Sequence, residues 1–272
     1  MEKLVFVLLD GLHYEAATEN LGYLEHLVEY NQCAKYRVKG ELPSSSRPMY
    51  ETIFTGLPVY QHGITNNKVN RLSTKTSVFD LIQSAGLTSL AVAYYWISEL
   101  YVKTPFDLYH DMIVDNSQSK IQKGFFYQDD LFPDSHVYGI AQSQIEKYQS
   151  NFVVIHPMKI DEYGHRYGSF SKEYKAAVLD NDKHLSTLIP LWQDMGYQII
   201  VCADHGMSEL GLHGGNSDIQ RYTALYILSK KVVNGFHDKV LTSLQIAPLI
   251  CELLGIEKGQ EMTDLEVILD EE

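Results

Sequence analysis

Tyr197-Gln198-Ile199-Ile200-Val201-Cys202-Ala203-Asp204-His205-Gly206-Met207 is the stretch from which the fold can be read, and Gly211-Leu212-His213-Gly214-Gly215 follows it closely. The run Tyr197 to Val201 is short and mostly apolar, which predicts a buried strand. At its end a carboxylate and an imidazole stand side by side, and a second imidazole follows among glycines. Ligand-type residues at a strand end, in a loop with little side-chain bulk, point to a metal site.

Working outward, the same pattern recurs. Leu4 to Leu9 is a second apolar run and closes on Asp10-Gly11; Asn151 to His156 is a third and is soon followed by Asp161. Further strands are predicted at Cys33–Val38, Thr88–Ala93 and Tyr222–Leu228. Helical spacing covers Tyr14–Tyr30. Met49–Thr55 reads as a helix stopped by Gly56, Ser77–Ala85 as one closed by Gly86, and Ser135–Gln149 as another. A long helix from Ser171 to Met195 is expected to kink or end near Pro190, and a last one spans Ser243–Leu254. This βαβ rhythm predicts an α/β fold, with a mostly parallel central sheet and helices on both faces. No linker or repeat divides the chain, so residues 1–272 read as one catalytic domain. The rhythm breaks at about 94–134, an aromatic-rich segment that reads either as a cap inserted over the site or as a packed excursion completing the core. The acidic tail Glu257–Glu272 is expected at the surface.

Composition narrows the function. The 272 residues are 45% hydrophobic and 11% aromatic, enough for a full core. The formal net charge of −13 argues against nucleic acid as a partner and repels anionic substrates unless bound cations reverse the field locally. Cys33, Cys202 and Cys251 are scattered and odd in number, so no disulfide framework or thiolate zinc site is expected and a reducing compartment fits. Leu4 to Leu9 is too short for a membrane span or a signal-peptide core. The expectation is a soluble cytoplasmic protein acting on a small molecule, with no membrane partner and with its oligomeric state open.

Asp10, Asp161 and Asp204 each follow a predicted strand, and in an open α/β sheet the C-terminal strand ends form the ligand crevice. Asp161 and His165 are four residues apart; Gly164 and Gly168 argue for a compact loop there. Asp204, His205 and His213 can turn to the same place from the loop after their strand. Asp and His donors without thiolates suit zinc first and manganese second. The set suffices for two ions, the arrangement that clamps attacking and leaving oxygens in phosphoryl transfer. Pro43-Ser44-Ser45-Ser46-Arg47-Pro48 offers a nucleophile at a helix entrance, where unpaired N–H groups favour an anion. Residue chemistry alone leaves Ser44, Ser45 and Ser46 open.

Four blocks in order resemble the alkaline phosphatase superfamily, most closely its nucleotide pyrophosphatase/phosphodiesterase branch. They are Phe6–Gly11; Pro43–Pro48 through Thr52–Leu57 to His62-Gly63-Ile64-Thr65-Asn66-Asn67; Asp161–His165; and Asp204–Met207. The resemblance implies a metal-dependent phosphohydrolase, more a diesterase than a monoesterase, working through a phosphoseryl intermediate. It implies Ser46 as nucleophile, Asn67 on a phosphoryl oxygen and the Arg47 N–H in the same pocket. It implies one ion held by Asp161, His165 and His213, and another by Asp10, Asp204, His205 and Ser46. Arg47 stands where the branch usually has an aromatic that packs on the nucleotide; a guanidinium there either meets a more anionic substrate or is capped by surface carboxylates. The short spacing from His205 to His213 is similar to that of the lipid-anchor phosphoethanolamine transferases of the superfamily. Monoester or phosphonate hydrolysis and phosphoryl transfer to an alcohol are the alternatives within enzymes. A non-catalytic metal-binding ligand sensor is the alternative outside them.

Overall fold

The computed structural model of the chain describes residues 1–270. Its strands are Lys3–Leu8 (β1), Ala34–Lys39 (β2), Ser89–Tyr94 (β3), Ile113–Asp115 (β4), Lys123–Tyr127 (β5), Phe152–Ile155 (β6), Tyr197–Cys202 (β7), Tyr222–Leu228 (β8) and Gly235–Thr242 (β9). They form one sheet in the order β4-β5-β3-β6-β1-β7-β8-β2-β9. From β5 to β7 neighbouring strands run parallel, whereas β8 is antiparallel to both its neighbours and β4 is an antiparallel edge.

Side chains alternate between the faces of a strand, so β1 feeds two cores. Leu4, Phe6 and Leu8 pack on one face, with the helices Ser46–Thr55, Val78–Ser84 and Ile246–Leu254. Val5 and Val7 pack on the other, with Tyr14–Asn20, Gly22–Glu29, Asp134–Tyr148 and Lys172–Asp194. Burial on both faces is why the central strands are continuously apolar rather than alternating.

Several expectations are corrected. The 94–134 segment supplies β4 and β5, which extend the sheet beyond β3, and two short helices, Tyr95–Tyr101 and Leu108–Asp111, with Ile97, Leu100 and Phe126 in the core. Tyr14–Tyr30 is two helices meeting at Leu21. Lys172–Asp194 runs unbroken through Pro190, which lies on the exposed side where water can replace the lost main-chain bond. Strand β9 was missed, since Phe236, Asp238, Lys239 and Val240 are exposed at an edge and carry no apolar period. The tail is not wholly superficial: Met262 and Val267 are buried, and Val232 bridges to Leu269. Glu271 and Glu272 lie outside the described residues. Among the described residues no helix is long and apolar enough to cross a membrane.

Candidate metal and active site

Asp10, His156 and Asp204 extend from the C-terminal ends of the adjacent strands β1, β6 and β7, and all three are buried. Asp161 lies on the helix Lys159–Tyr167, not in a loop, so Asp161 and His165 share one face a turn apart, with Asp161 Oδ2 3.4 Å from His165 Nε2. The loop after β7 returns His213 to the same place, its Nε2 3.2 Å from His165 Nε2 and its ring stacked on His205 at 3.9 Å. His205 Nε2 is 3.2 Å from Asp204 Oδ2 and 3.5 Å from Asp10 Oδ1. The structure therefore gathers all six sequence-derived ligand candidates into one cluster. Within it, donor atoms of Asp161, His205 and His213 lie within 4.8 Å of one another, and so do those of Asp10, Asp204 and His205.

The donor set fits divalent cations. Each of the three imidazoles has Nδ1 against a main-chain carbonyl: His165 with Gly211 at 2.8 Å, His205 with Gly206 at 2.9 Å, and His213 with Ser44 at 3.2 Å. A carbonyl can only accept, so these contacts fix Nδ1–H and leave Nε2 to the cluster, the arrangement common to metal-ligating histidines. Asp10 Oδ1, Asp161 Oδ1 and Asp204 Oδ2 are buried and have no hydrogen-bond partner among the described residues. Buried carboxylate oxygens are costly unless paired or coordinated.

The proton affinities record the same crowding. Burial, then the charge of Asp10, pushes the Asp161 carboxyl up, and burial with the charges of Asp10 and Asp161 pushes Asp204 well up. Burial acts upward on Asp10 too, but the His156 hydrogen bond, the His205 charge and Tyr50 bring it below its ordinary value. The Asp161 contact raises His165 to about 9, whereas burial and the neighbouring His205 depress His213 to about 3, keeping it a neutral donor. Cations placed among these groups relieve the carboxylate repulsion directly.

Ser46 opens the helix Ser46–Thr55, and its Oγ lies 3.0 Å from His205 Nε2. Ser44 Oγ instead donates to Gly215 O at 2.8 Å. Of the serines left open by the sequence, Ser46 is thus the one hydrogen-bonded within the cluster. The Arg47 N–H donates to Asn67 Oδ1 at 3.0 Å, which brings Asn67 to the same helix end. The Arg47 guanidinium is buried and committed elsewhere: Nη2 meets Glu99 at 2.7 Å, and the group lies 4.7 Å from the centre of the Trp96 ring. The carboxylate partner of Arg47 is the buried Glu99, not a surface group.

Residues 4–239 match the family described as type I phosphodiesterase / nucleotide pyrophosphatase. The chain belongs to this family. In fold it is similar to murine ectonucleotide pyrophosphatase/phosphodiesterase 5, with a TM-score of 0.74, 14% identity, and 95% of this chain and 96% of that one covered. A phosphonate monoester hydrolase from Silicibacter pomeroyi aligns with a TM-score of 0.63 at 14% identity, over 95% of this chain and 74% of that one. In sequence it is 23% identical, over 93% of its length, to the catalytic subunit of human GPI ethanolamine phosphate transferase 2, covering 26% of that protein. It is 30% identical over 38% of its length to GPI ethanolamine phosphate transferase 2 of Schizosaccharomyces pombe, covering 16% of it. The chain thus spans about a quarter or less of these two relatives. The family's description names phosphodiesterases and nucleotide pyrophosphatases.

Sequence reasoning missed four residues around this site: Tyr50 and His156 on Asp10, and Glu99 and Trp96 on Arg47. Two had a signal. His156 ends a predicted strand beside that of Asp10, and Tyr50 lies four residues beyond Ser46 on a predicted helix. Glu99 and Trp96 come from the irregular segment and had none.

Proposed function

We propose that this chain is a two-ion phosphodiesterase acting on small phosphate esters, with Ser46 as its nucleophile. The observation that carries the reading is Ser46 Oγ, 3.0 Å from His205 Nε2, at the first turn of a helix that opens onto buried carboxylates with unpartnered oxygens. Asp161, His165 and His213 would hold one ion, and Asp10, Asp204, His205 and Ser46 the other, with zinc the first candidate and manganese the second. When bound, such ions supply Lewis-acid charge to the attacking and leaving oxygens. Ser46 gives up its proton and attacks phosphorus in line, the bond to one alcohol breaks and that alcohol leaves protonated, and a phosphoseryl enzyme forms that keeps the substrate's other ester group. Water then attacks phosphorus and Ser46 departs. The N–H groups of the first turn, with Asn67 beside them, stabilise charge on the non-bridging oxygens. The test is acid-quenched turnover of an aryl diester followed by peptide mass analysis. A phosphoryl adduct on Ser46, absent in Ser46→Ala, is expected; near-normal turnover by Ser46→Ala would show the covalent route to be wrong.

The GPI ethanolamine phosphate transferases among the relatives favour a second reading, in which an alcohol rather than water takes the group from Ser46. Turnover with and without a small alcohol separates the two: a hydrolase turns over in water alone, whereas a transferase needs the alcohol. A cytoplasmic location is supported by three buried free thiols, Cys33, Cys202 and Cys251; cell fractionation of the full chain checks it.

A further inference from the structure

Asp10 has two carboxylate oxygens with different surroundings. Oδ2 takes a hydrogen bond from the Tyr50 hydroxyl and lies 3.0 Å from His156 Nε2. Oδ1 has no hydrogen-bond partner among the described residues and faces His205 Nε2 at 3.5 Å. Tyr50, His156 and Asp10 are all fully buried, so no water competes for these contacts.

The two donors hold each other in place. Tyr50 and His156 meet edge to face, ring centres 5.0 Å apart at 79°. Tyr50 is set by the same helix that begins at Ser46. His156 follows β6, and its carbonyl accepts a 2.6 Å hydrogen bond from Tyr127 at the end of β5. His156 Nδ1 is buried without a partner among the described residues. A lone pair there is tolerable and an N–H is not, which places the ring proton on Nε2, facing Asp10 Oδ2. Two donors from two elements therefore saturate one oxygen of a carboxylate carried by a third.

We infer that Tyr50 and His156 are positioning residues that preset Asp10 as a one-oxygen ligand, by engaging Oδ2 and presenting only Oδ1 to the ion shared with Asp204 and His205. A carboxylate without these donors would be free to rotate or to bind through both oxygens, and outer partners of this kind typically set metal affinity by about 10- to 100-fold. The inference rests on the metal assignment above and adds what organises it.

The test is a calorimetric titration of metal-stripped full chain with zinc and with manganese, for wild type, Tyr50→Phe, His156→Gln and Tyr101→Phe. Tyr101→Phe is the control, because Tyr101 donates to the buried Glu51 at 2.7 Å and breaks a matched tyrosine–carboxylate pair away from the cluster. Tyr50→Phe and His156→Gln are each expected to lose about 10-fold or more in affinity for one ion and leave the other unchanged. Tyr101→Phe is expected to lose thermal stability with both affinities intact. Wild-type affinities in both site variants, or an equal loss in Tyr101→Phe, would overturn the positioning role. Wild type that binds neither metal would overturn the metal assignment, and this inference with it.

Discussion

Ser46 Oγ and His205 Nε2 stand 3.0 Å apart although 159 residues separate them in the chain. His205 Nδ1–H is committed to the Gly206 carbonyl, so in the neutral ring the Nε2 lone pair faces Ser46 Oγ and accepts from it. A cation taking the same lone pair would displace this hydrogen bond and free the hydroxyl. The two residues should therefore separate by substitution. Ser46→Ala is expected to lose turnover by about 10³-fold or more while retaining its ions, as removal of an activated nucleophile does. His205→Ala is expected to lose both turnover and the affinity for at least one ion. Equilibrium dialysis with metal analysis, alongside steady-state kinetics, reads both.

Arg47 and Glu99 form a buried ion pair at 2.7 Å, with Glu99 also accepting from Asn70 and from the Phe106 N–H, each at 3.0 Å. Breaking a buried pair leaves one charge uncompensated and typically costs about 3–5 kcal/mol. Glu99→Ala should destabilise by that order in urea unfolding, Glu99→Gln by less, and Arg47→Met/Glu99→Met by less than the sum of the single changes. Because the guanidinium already has its carboxylate, Arg47→Met should not selectively remove activity on monoesters. A panel of aryl mono- and diesters checks this, and a selective loss would place the Arg47 charge on substrate.

The central sheet and the cluster of candidate ligands were legible because they rest on local signals. β1, β6 and β7 are apolar runs of strand length, and Asp10 and Asp204 end two of them. The turn at Asp161–His165 was misread because Gly164 looks like a helix breaker. In the structure it is a packing residue: a Cβ there would lie 2.8 Å from Met207 Cγ, so glycine lets this helix close against the loop that carries His205. Its cost to helix propensity is modest and tertiary packing overrides it. Arg47 with Glu99, and Asp10 with Tyr50 and His156, were not legible because each pairing joins separate elements and depends on how they dock. The 94–134 segment was ambiguous for a related reason: β5 is five residues long, and its sheet partner β3 lies across two helices and a short edge strand.

Two buried groups should bend the stability curve in opposite senses. Burial, aided by the charges of Arg71 and Lys75, lowers His62 from 6.5 to about 4. Its neutral ring lies 3.0 Å from Thr52 Oγ1 through Nε2 and accepts from the Ile64 N–H. The unfolded chain takes up this proton first, so stability is lost as pH falls from about 6.5 to about 4. Burial raises Asp134 from 3.8 to about 6, despite hydrogen bonds from Asn181 and the Lys159 N–H. Here the folded state holds the proton more tightly, so stability is lost as pH rises from about 3.8 to about 6. His62→Gln should flatten the acid limb of a urea-midpoint profile, and Asp134→Asn should steepen it. The same change of slope in both variants would refute the assignment.

Glycine to alanine at two positions should give opposite signs. A Cβ on Gly206 would lie 2.0 Å from the Ile219 carbonyl oxygen and 2.8 Å from His13 Cβ, and the Gly206 N–H already donates to Gln220 O at 2.9 Å. The obstacle is main chain and cannot swing aside as a side-chain tip would, so Gly206→Ala must move the segment that holds Asp204 and His205. Overpacking of this kind costs about 1–3 kcal/mol, and ion affinity should fall with it. Gly139 lies exposed within the helix Asp134–Tyr148 with nothing within 4 Å of its Cβ position. There Gly139→Ala should stabilise by about 0.5–1 kcal/mol through helix propensity alone, with ion binding unchanged. Urea midpoints and metal titration of the two variants read both effects. A Gly206→Ala protein with wild-type stability and ion affinity would mean that the main chain after His205 yields more readily than its contacts with Ile219 and Gln220 imply.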